Sequence, residues 1–313
     1  MNVLVYGAGV LGSYLAHELC KGNHSVAMLA RGRRYDDLLE HGLIIQHFKQ
    51  KNRTVDHIRV VDCLKPDDGY DIIFAVVQKS QLRDVLPVLA QNTATGMIAL
   101  IGNNCESEKT FASFMETSLS KPLLLFGFLS CAGHRDGEVV YNWHKDNCTL
   151  TIGSFEKQNS YIQVLEKLLS GTSLRLSCKP DINAWLKNHC ALITPLCLAL
   201  QYERGAPRSL RSSAALRLAI EAVKQSVQMF KSQGFYDELQ NTRLLRWPTK
   251  RLQWILARFL PTKTGHLMAV DHALSAVNEI DTLTRELLSY SESYNYPLPA
   301  LKELYEIVKE LRK

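Results

Sequence analysis

A chain of 313 residues is longer than one hydrophobic core usually fills, so two domains are expected. Hydrophobic residues make up 46% and charged residues 22%, which excludes a disordered, collagen-like or fibrous chain. A net charge of +6 at pH 7 admits nucleic acid, an anionic membrane surface or a small anionic ligand such as a phosphorylated cofactor, and by itself selects none of them.

The chain opens Met-Asn-Val-Leu-Val-Tyr-Gly, a strand running straight into glycines, with no basic flank and no apolar leader. Strands are predicted at Val3 to Tyr6, Val26 to Leu29, Asp71 to Val77, Met97 to Ile101 and Leu123 to Leu129. Between them Val10 to Cys20, Gln81 to Ala90 and Ser107 to Leu119 carry apolar residues at helical spacing, so the first half reads as a parallel sheet covered by helices. From Gly137 onward, Val139 to Trp143 and Cys148 to Ile152 predict two short strands that extend the same sheet antiparallel. A helix follows near Tyr161 to Leu169. Beyond the polar segment Cys178 to Asp181, the long helical runs Ala184 to Leu200, Ala214 to Phe230 and Ala269 to Ser289 predict a nearly all-helical remainder. The expected architecture is an α/β Rossmann-type dinucleotide-binding domain over residues 1–178, followed by an all-α C-terminal domain over residues 179–313.

Apolar runs stay well short of the roughly 20 residues that a spanning helix needs, so no membrane span is expected. The eight cysteines are scattered singly, without a Cys-x-x-Cys pair, and predict reduced thiols and a cytoplasmic location. Histidines and cysteines show no paired ligand spacing, so no metal is expected.

Gly7-Ala8-Gly9-Val10-Leu11-Gly12 is a G-x-G-x-x-G that follows a predicted strand and opens a predicted helix. In that setting Gly7 takes the tight turn, Gly9 lets backbone approach a pyrophosphate, and Gly12 lets helix pack on strand. The helix N-terminus offers amide N–H groups to the phosphates. Where an NAD-selective domain ends its second strand on a carboxylate, this chain reads Leu29-Ala30-Arg31-Gly32-Arg33-Arg34. A guanidinium at Arg31 grips a 2′-phosphate with paired charge-assisted bonds, which favours NADPH over NADH. The alternative is that these arginines only solvate a loop. Asp36 and Asp37 read as helix-start residues.

With these motifs in order, the chain resembles the ketopantoate reductase family, NADPH-dependent enzymes that reduce 2-dehydropantoate to pantoate on the way to coenzyme A. The likeness includes the glycine fingerprint, Asp71 to Ser80 with its Lys79, Gly133 to Val139, Trp185-Leu186-Lys187, Asn278-Glu279-Ile280-Asp281 and Pro297-Leu298-Pro299. The resemblance implies that Lys79 and Asn103 lie in the cofactor site, that Lys187 is the catalytic lysine and that Glu279 holds substrate. The chain departs from the family pattern at Ala191, Pro195 and Leu267, which stand where it implies polar substrate contacts, and at the turn Gly102-Asn103-Asn104, where the family usually has Gln-Asn-Gly.

Ketone reduction needs a proton donor beside the developing oxyanion, and a desolvated lysine can stabilise that charge and protonate it. Lys187 lies on an otherwise apolar helix with Leu192, Ile193 and Leu196; its alternative is to snorkel to solvent. Glu279, flanked by Val277 and Ile280, has the alternative of an exposed helix carboxylate. His189 and Cys190 adjoin Lys187 in sequence, but neighbouring helix positions diverge by about 100 degrees, and ordinary packing accounts for both. The basic, aromatic stretch from Arg243 to Leu260 reads as a bundle wall or dimer contact, with an interfacial membrane helix as the alternative.

The expected function is NADPH-dependent reduction of a small-molecule 2-oxo acid, ketopantoate by resemblance. The alternatives are a paralogue that reduces another keto acid or an imine, and a non-catalytic NADPH sensor. No nucleic-acid partner is expected, and the sequence admits a homodimer without fixing the oligomeric state.

Overall fold

Val3, Leu4 and Val5 are fully buried and Tyr6 nearly so, which is how a central parallel strand covered on both faces reads. These residues form β1 (Asn2–Tyr6) in a computed structural model that describes residues 1–144, 147–156, 160–204, 210, 212–238 and 243–312. The chain continues through α1 (Val10–Lys21), β2 (Ser25–Leu29), α2 (Arg33–His41), β3 (Leu43–His47), β4 (Asn52–Asp56), β5 (Arg59–Val61) and β6 (Ile72–Ala75). Then come α3 (Leu82–Gln91), β7 (Met97–Ile101), α4 (Ser107–Thr117), β8 (Leu123–Leu129), β9 (Ala132–Asp136), β10 (Val139–Trp143), β11 (Cys148–Ser154), α5 (Ser160–Leu169) and β12 (Leu174–Cys178).

The larger sheet runs in the order β12-β11-β8-β7-β6-β1-β2-β5. Strands β5 to β8, β1 and β2 are parallel; β11 pairs antiparallel with β8, and β12 follows β11 in parallel. Of the two strands expected to extend this sheet, β11 does so and β10 does not. Strand β10 lies in a second sheet of order β4-β3-β10-β9, parallel to β3 and antiparallel to β9. The reason is on α1, whose residues Gly12 to Leu19 are all buried. One face covers the large sheet, and the other packs on β3, β9 and β10.

Side chains from α1 reach the small sheet through a polar network. Tyr14 Oη meets His144 Nδ1 at 3.2 Å, and His144 Nε2 meets His47 Nδ1 at 3.2 Å. His47 Nε2 meets Thr54 Oγ1 at 2.9 Å, and His17 Nδ1 meets Asp56 Oδ2 at 2.7 Å. Burial, with the charges of His17 and His144 nearby, pushes the His47 imidazole down to about 4.

The second compact unit is helical: α6 (Ile182–Tyr202), α7 (Ala214–Ser232), α8 (Thr249–Phe259), α9 (Lys263–Gly265), α10 (Asp271–Ser275), α11 (Val277–Ser293) and α12 (Pro299–Leu311). The expected single helix from Ala269 to Ser289 is broken. A π-helical turn over His266–Val270 leads into α10, and Ala276, with φ −104° and ψ 38°, separates α10 from α11. On α8, Gln253 and Ala257 are buried while Trp254 is 54% exposed, so the basic aromatic stretch forms a helix with one face in the bundle. The side chains of Arg243 and Leu244 lie outside the described residues. No described helix is long and apolar enough to cross a membrane.

The first unit comprises Met1–Gly102 and Ser107–Ile182; the second comprises Asn103–Glu106 and Asn183–Lys313. The division falls a little after the expected position 178, because the Ile182 side chain packs against Gly153 of β11.

The His47 environment sets a pH dependence. An unfolded histidine takes up its proton near pH 6.5, whereas folded His47 resists it down to about 4, so the unfolded chain binds more protons in that interval. Its contribution is therefore complete above pH 6.5 and is lost as pH falls toward 4. Urea unfolding at pH 7.5 and 4.5 should show a loss of up to about 3 kcal/mol that His47→Gln reduces. Equal pH dependence in parent and variant would contradict this account.

Candidate active site

The glycine turn is built by close approaches. Gly7 has φ +115°, and a Cβ there would lie 2.3 Å from the Val76 carbonyl oxygen of the strand next door. A Cβ on Gly12 would lie 2.0 Å from the Gly7 carbonyl oxygen, so the first turn of α1 presses directly on the loop. Gly9 differs, because a Cβ there meets nothing within 4 Å. It is the N-cap of α1, with no side-chain cap and no acidic residue in the first turn. The Gly7 to Gly12 segment thus leaves open backbone space in front of a helix N-terminus that lacks an internal anion. That is the cradle a dinucleotide pyrophosphate fits.

The three arginines after β2 separate into different environments. Arg31 donates to the Tyr6 hydroxyl at the end of β1, and its guanidinium lies 5.7 Å from the Tyr6 ring centroid. Burial raises the Tyr6 phenol, and the Arg31 charge partly offsets this. Arg33 is exposed and lies 3.8 Å from Asp37, one turn along α2. Arg34 is buried, donates to the Glu138 carbonyl oxygen at 2.9 Å and reaches Ser13 Oγ at 3.5 Å. Burial, with Arg135 nearby, lowers the Arg34 guanidinium to about 10. Arg34 is therefore a structural tie between α2, α1 and the small sheet, and Arg31 is the cation presented where β1 and β2 end. Lys79 begins a 3-10 turn after β6 and reaches Thr110 Oγ1 at 3.5 Å.

In the second unit, Lys187 is completely buried. Its Nζ donates to the Cys105 carbonyl oxygen at 2.8 Å, to Tyr290 Oη at 2.9 Å and to Asn183 Oδ1 at 3.0 Å. The rings of Tyr290, Phe235 and Phe230 surround the ammonium, with centroids at 4.5, 5.1 and 6.0 Å. Lys187 does not snorkel to solvent. The segment that supplies the Cys105 carbonyl begins with Asn103, which is 5% exposed and whose Oδ1 has no hydrogen-bond partner. A buried acceptor left unsatisfied costs about 1–3 kcal/mol, and a bound ligand that donates to it recovers that.

Glu279 is also buried rather than an exposed helix carboxylate, and it sits in the first turn of α11, where the helix dipole favours an anion. Its Oε2 lies 3.7 Å from His272 Nε2. Burial, with the Glu279 charge added, pushes the Cys197 thiol up to about 12. His189 stacks on Trp185 at 4.9 Å between centroids, and burial, with His272 nearby, pushes it down to about 4. A histidine held neutral in this way is a packing group and not a proton donor at neutral pH. Cys190 is buried in the helical core, as are Ala191 and Pro195, and Leu267 lies buried in the π-helical turn. Among the described residues no group of three or more His, Cys, Asp or Glu side chains is arranged to hold a metal ion.

Sequence reasoning missed Tyr6, Asn183, Phe230, Phe235 and Tyr290. Two of these carried a signal. Asn183 lies one turn before Lys187 on α6, and Tyr290 lies eleven residues, about three turns, beyond Glu279 on the same face of α11.

The sequence model of the family described as ketopantoate reductase PanE/ApbA matches residues 3–157. A 2-dehydropantoate 2-reductase of Pyrococcus horikoshii is 20% identical over 314 residues, covering 99% of this chain and 97% of the relative. Among solved structures, D-mandelate dehydrogenase with NADH and anilino(oxo)acetate gives a TM-score of 0.77 at 14% identity, covering 99% of this chain and 98% of that one. The 2-dehydropantoate 2-reductase of Methylococcus capsulatus gives 0.72 at 16% identity, covering 100% and 97%. At these identities the structural likeness establishes the fold.

The glycine contacts separate two kinds of loss. Gly12→Ala should destabilise the ligand-free protein by about 1–3 kcal/mol, because its Cβ overlaps the Gly7 carbonyl. Gly9→Ala should leave the unfolding midpoint close to the parent's but weaken dinucleotide binding by about tenfold or more, which is about 1.4 kcal/mol. Thermal unfolding and fluorescence titration check both; unchanged binding in Gly9→Ala would remove the cradle.

Proposed function

We propose that this chain, whose residues 3–157 match the ketopantoate reductase family model, reduces a 2-oxo acid with NADPH, ketopantoate to pantoate being the first candidate. The observation that carries this reading is Lys187, an ammonium fully removed from water, held by fixed acceptors on α6, α11 and the Asn103–Glu106 segment.

The residues divide the work. Gly7, Ala8, Gly9, Val10, Leu11 and Gly12, with the first amides of α1, hold the pyrophosphate, and Arg31 grips the 2′-phosphate of the adenosine ribose. Lys79 and Asn103 hold the ribose and nicotinamide end, the latter through the amide oxygen that lacks a partner. When bound, the dinucleotide supplies a hydride to the carbonyl carbon. Lys187 directs its charge at the ketone oxygen and passes that oxygen a proton from Nζ, while Glu279 holds the substrate.

A second reading keeps the chemistry and changes the substrate. Ala191, Pro195 and Leu267, all buried, replace the polar contacts that the family resemblance implies. Pro195 also lacks the amide N–H that would pair with the Ala191 carbonyl one turn back. Sites built to hydrogen-bond a hydroxyl discriminate strongly, so their loss favours a 2-oxo acid without ketopantoate's hydroxyl. The sensor alternative would gain from a solvent-facing Lys187, and Lys187 is buried.

Two substitutions test the assignment. Arg31→Glu should weaken NADPH far more than NADH, as measured by dissociation constants; an unchanged preference would transfer the role to exposed Arg33. Lys187→Ala should lower turnover of an accepted 2-oxo acid by about a hundredfold or more while NADPH affinity holds, and Lys187→Arg should not restore it. Turnover at the parent's rate in Lys187→Ala would refute the mechanism.

A further inference from the structure

Arg31 is a long, exposed cation on a loop, yet a neighbouring side chain holds its guanidinium in place. Its Nη2 donates to the Tyr6 hydroxyl, and the guanidinium carbon lies 5.7 Å from the Tyr6 ring centroid. Tyr6 is buried and ends β1, paired in register with Leu29 of β2 on one side and Ala75 of β6 on the other. The backbone then runs directly into Gly7, so a single strand end carries both the glycine turn and the anchor of Arg31. Among the described residues no carboxylate pairs with Arg31, in contrast to Arg33, which lies beside Asp37.

We propose that Tyr6 is a positioning residue for the cofactor, the group that sets Arg31 in place for a 2′-phosphate and so determines the preference for NADPH over NADH. The proposal rests on the reading of Arg31 as the cation that grips that phosphate. A buried phenol suits the task. Burial raises the Tyr6 phenol by more than the Arg31 charge lowers it, so the hydroxyl stays neutral and accepts from Arg31 without cancelling its charge. A carboxylate in the same place would hold the guanidinium as firmly, but it would neutralise Arg31 and repel an incoming phosphate. The bond to Tyr6 leaves most of the guanidinium N–H donors for phosphate oxygens. An arginine placed before the ligand arrives also removes from binding the cost of ordering a long side chain. NADH has a hydroxyl where NADPH has the phosphate, and gains little from a cation fixed there.

Tyr6→Phe keeps the ring and removes only the hydroxyl. Fluorescence titration of the variant should show NADPH binding weakened by about threefold to tenfold, the scale of mobilising one rotamer-rich side chain, with NADH held within about twofold of the parent. The unfolding midpoint should match the parent's. In an Arg31→Ala background the same substitution should no longer change NADPH affinity, because Tyr6 acts through Arg31. Equal weakening of NADPH and NADH, weakening of neither, or weakening of NADPH that persists undiminished without Arg31 would each overturn the proposal. Arg31→Ala alone separates it from the underlying reading. Failure of that reading appears as an unchanged cofactor preference in Arg31→Ala, and it takes the proposal with it. Failure of the proposal alone appears as a preference lost in Arg31→Ala and intact in Tyr6→Phe.

Discussion

An ammonium group loses its water when it is buried, and the loss is tolerable only where fixed acceptors replace the hydration shell. At Lys187 those acceptors come from parts of the chain that are distant in sequence: Asn183 on the same helix, Cys105 from the four-residue segment after β7, and Tyr290 on α11. Satisfying one charge thus draws α6, α11 and Asn103–Glu106 into a single arrangement, and the aromatic rings of Phe230 and Phe235 close around it. A buried ion so placed is weak evidence of stability.

The first unit obeys a different constraint, that of α1 packed on both sides. Because Gly12 to Leu19 are all buried, polar side chains on α1 must find partners in protein, and Tyr14, His17 and Glu18 find them on the small sheet and in the loop at Ser173. The helix whose N-terminus forms the proposed phosphate cradle is therefore clamped along its length. Arg34 adds a tie from α2, so the two helices that flank the proposed dinucleotide cradle are fixed with respect to each other. Preorganisation of this kind reduces what a ligand must order on binding.

Local signals were legible in the sequence and long-range pairings were not. The fingerprint, the end of β2 at Arg31 and the parallel core strands are written in contiguous residues whose period and glycine spacing carry the information. Strand β10 has the alternation of a strand, but alternation names no partner, and its neighbour β3 precedes it by about a hundred residues. Strand β4 is a largely exposed edge with a single apolar residue, and edge strand β5 is only three residues long, so neither carries a pattern to mark it. The break at Ala276 lacks the glycine or proline that announces a helix end. Lys187 and Glu279 stand out as charges among apolar neighbours, whereas Tyr290 is an aromatic residue on an amphipathic helix, and no local pattern places its hydroxyl on Lys187 Nζ. The arginine cluster, uniform in sequence, resolved into one cation at the strand ends, one solvated residue and one structural tie.

In the proposed function, substrate identity is tied to Ala191, Pro195 and Leu267, whose buried apolar side chains stand where the family resemblance implies polar contacts. The most direct measurement is NADPH oxidation by the purified protein against 2-oxo acids that share the carboxylate and ketone and differ only in the side chain, ketopantoate among them. The account requires NADPH consumption with at least one of them, and ranks those with apolar side chains above ketopantoate if the buried Ala191, Pro195 and Leu267 govern specificity. No consumption with any 2-oxo acid, by protein shown to bind NADPH, would contradict it.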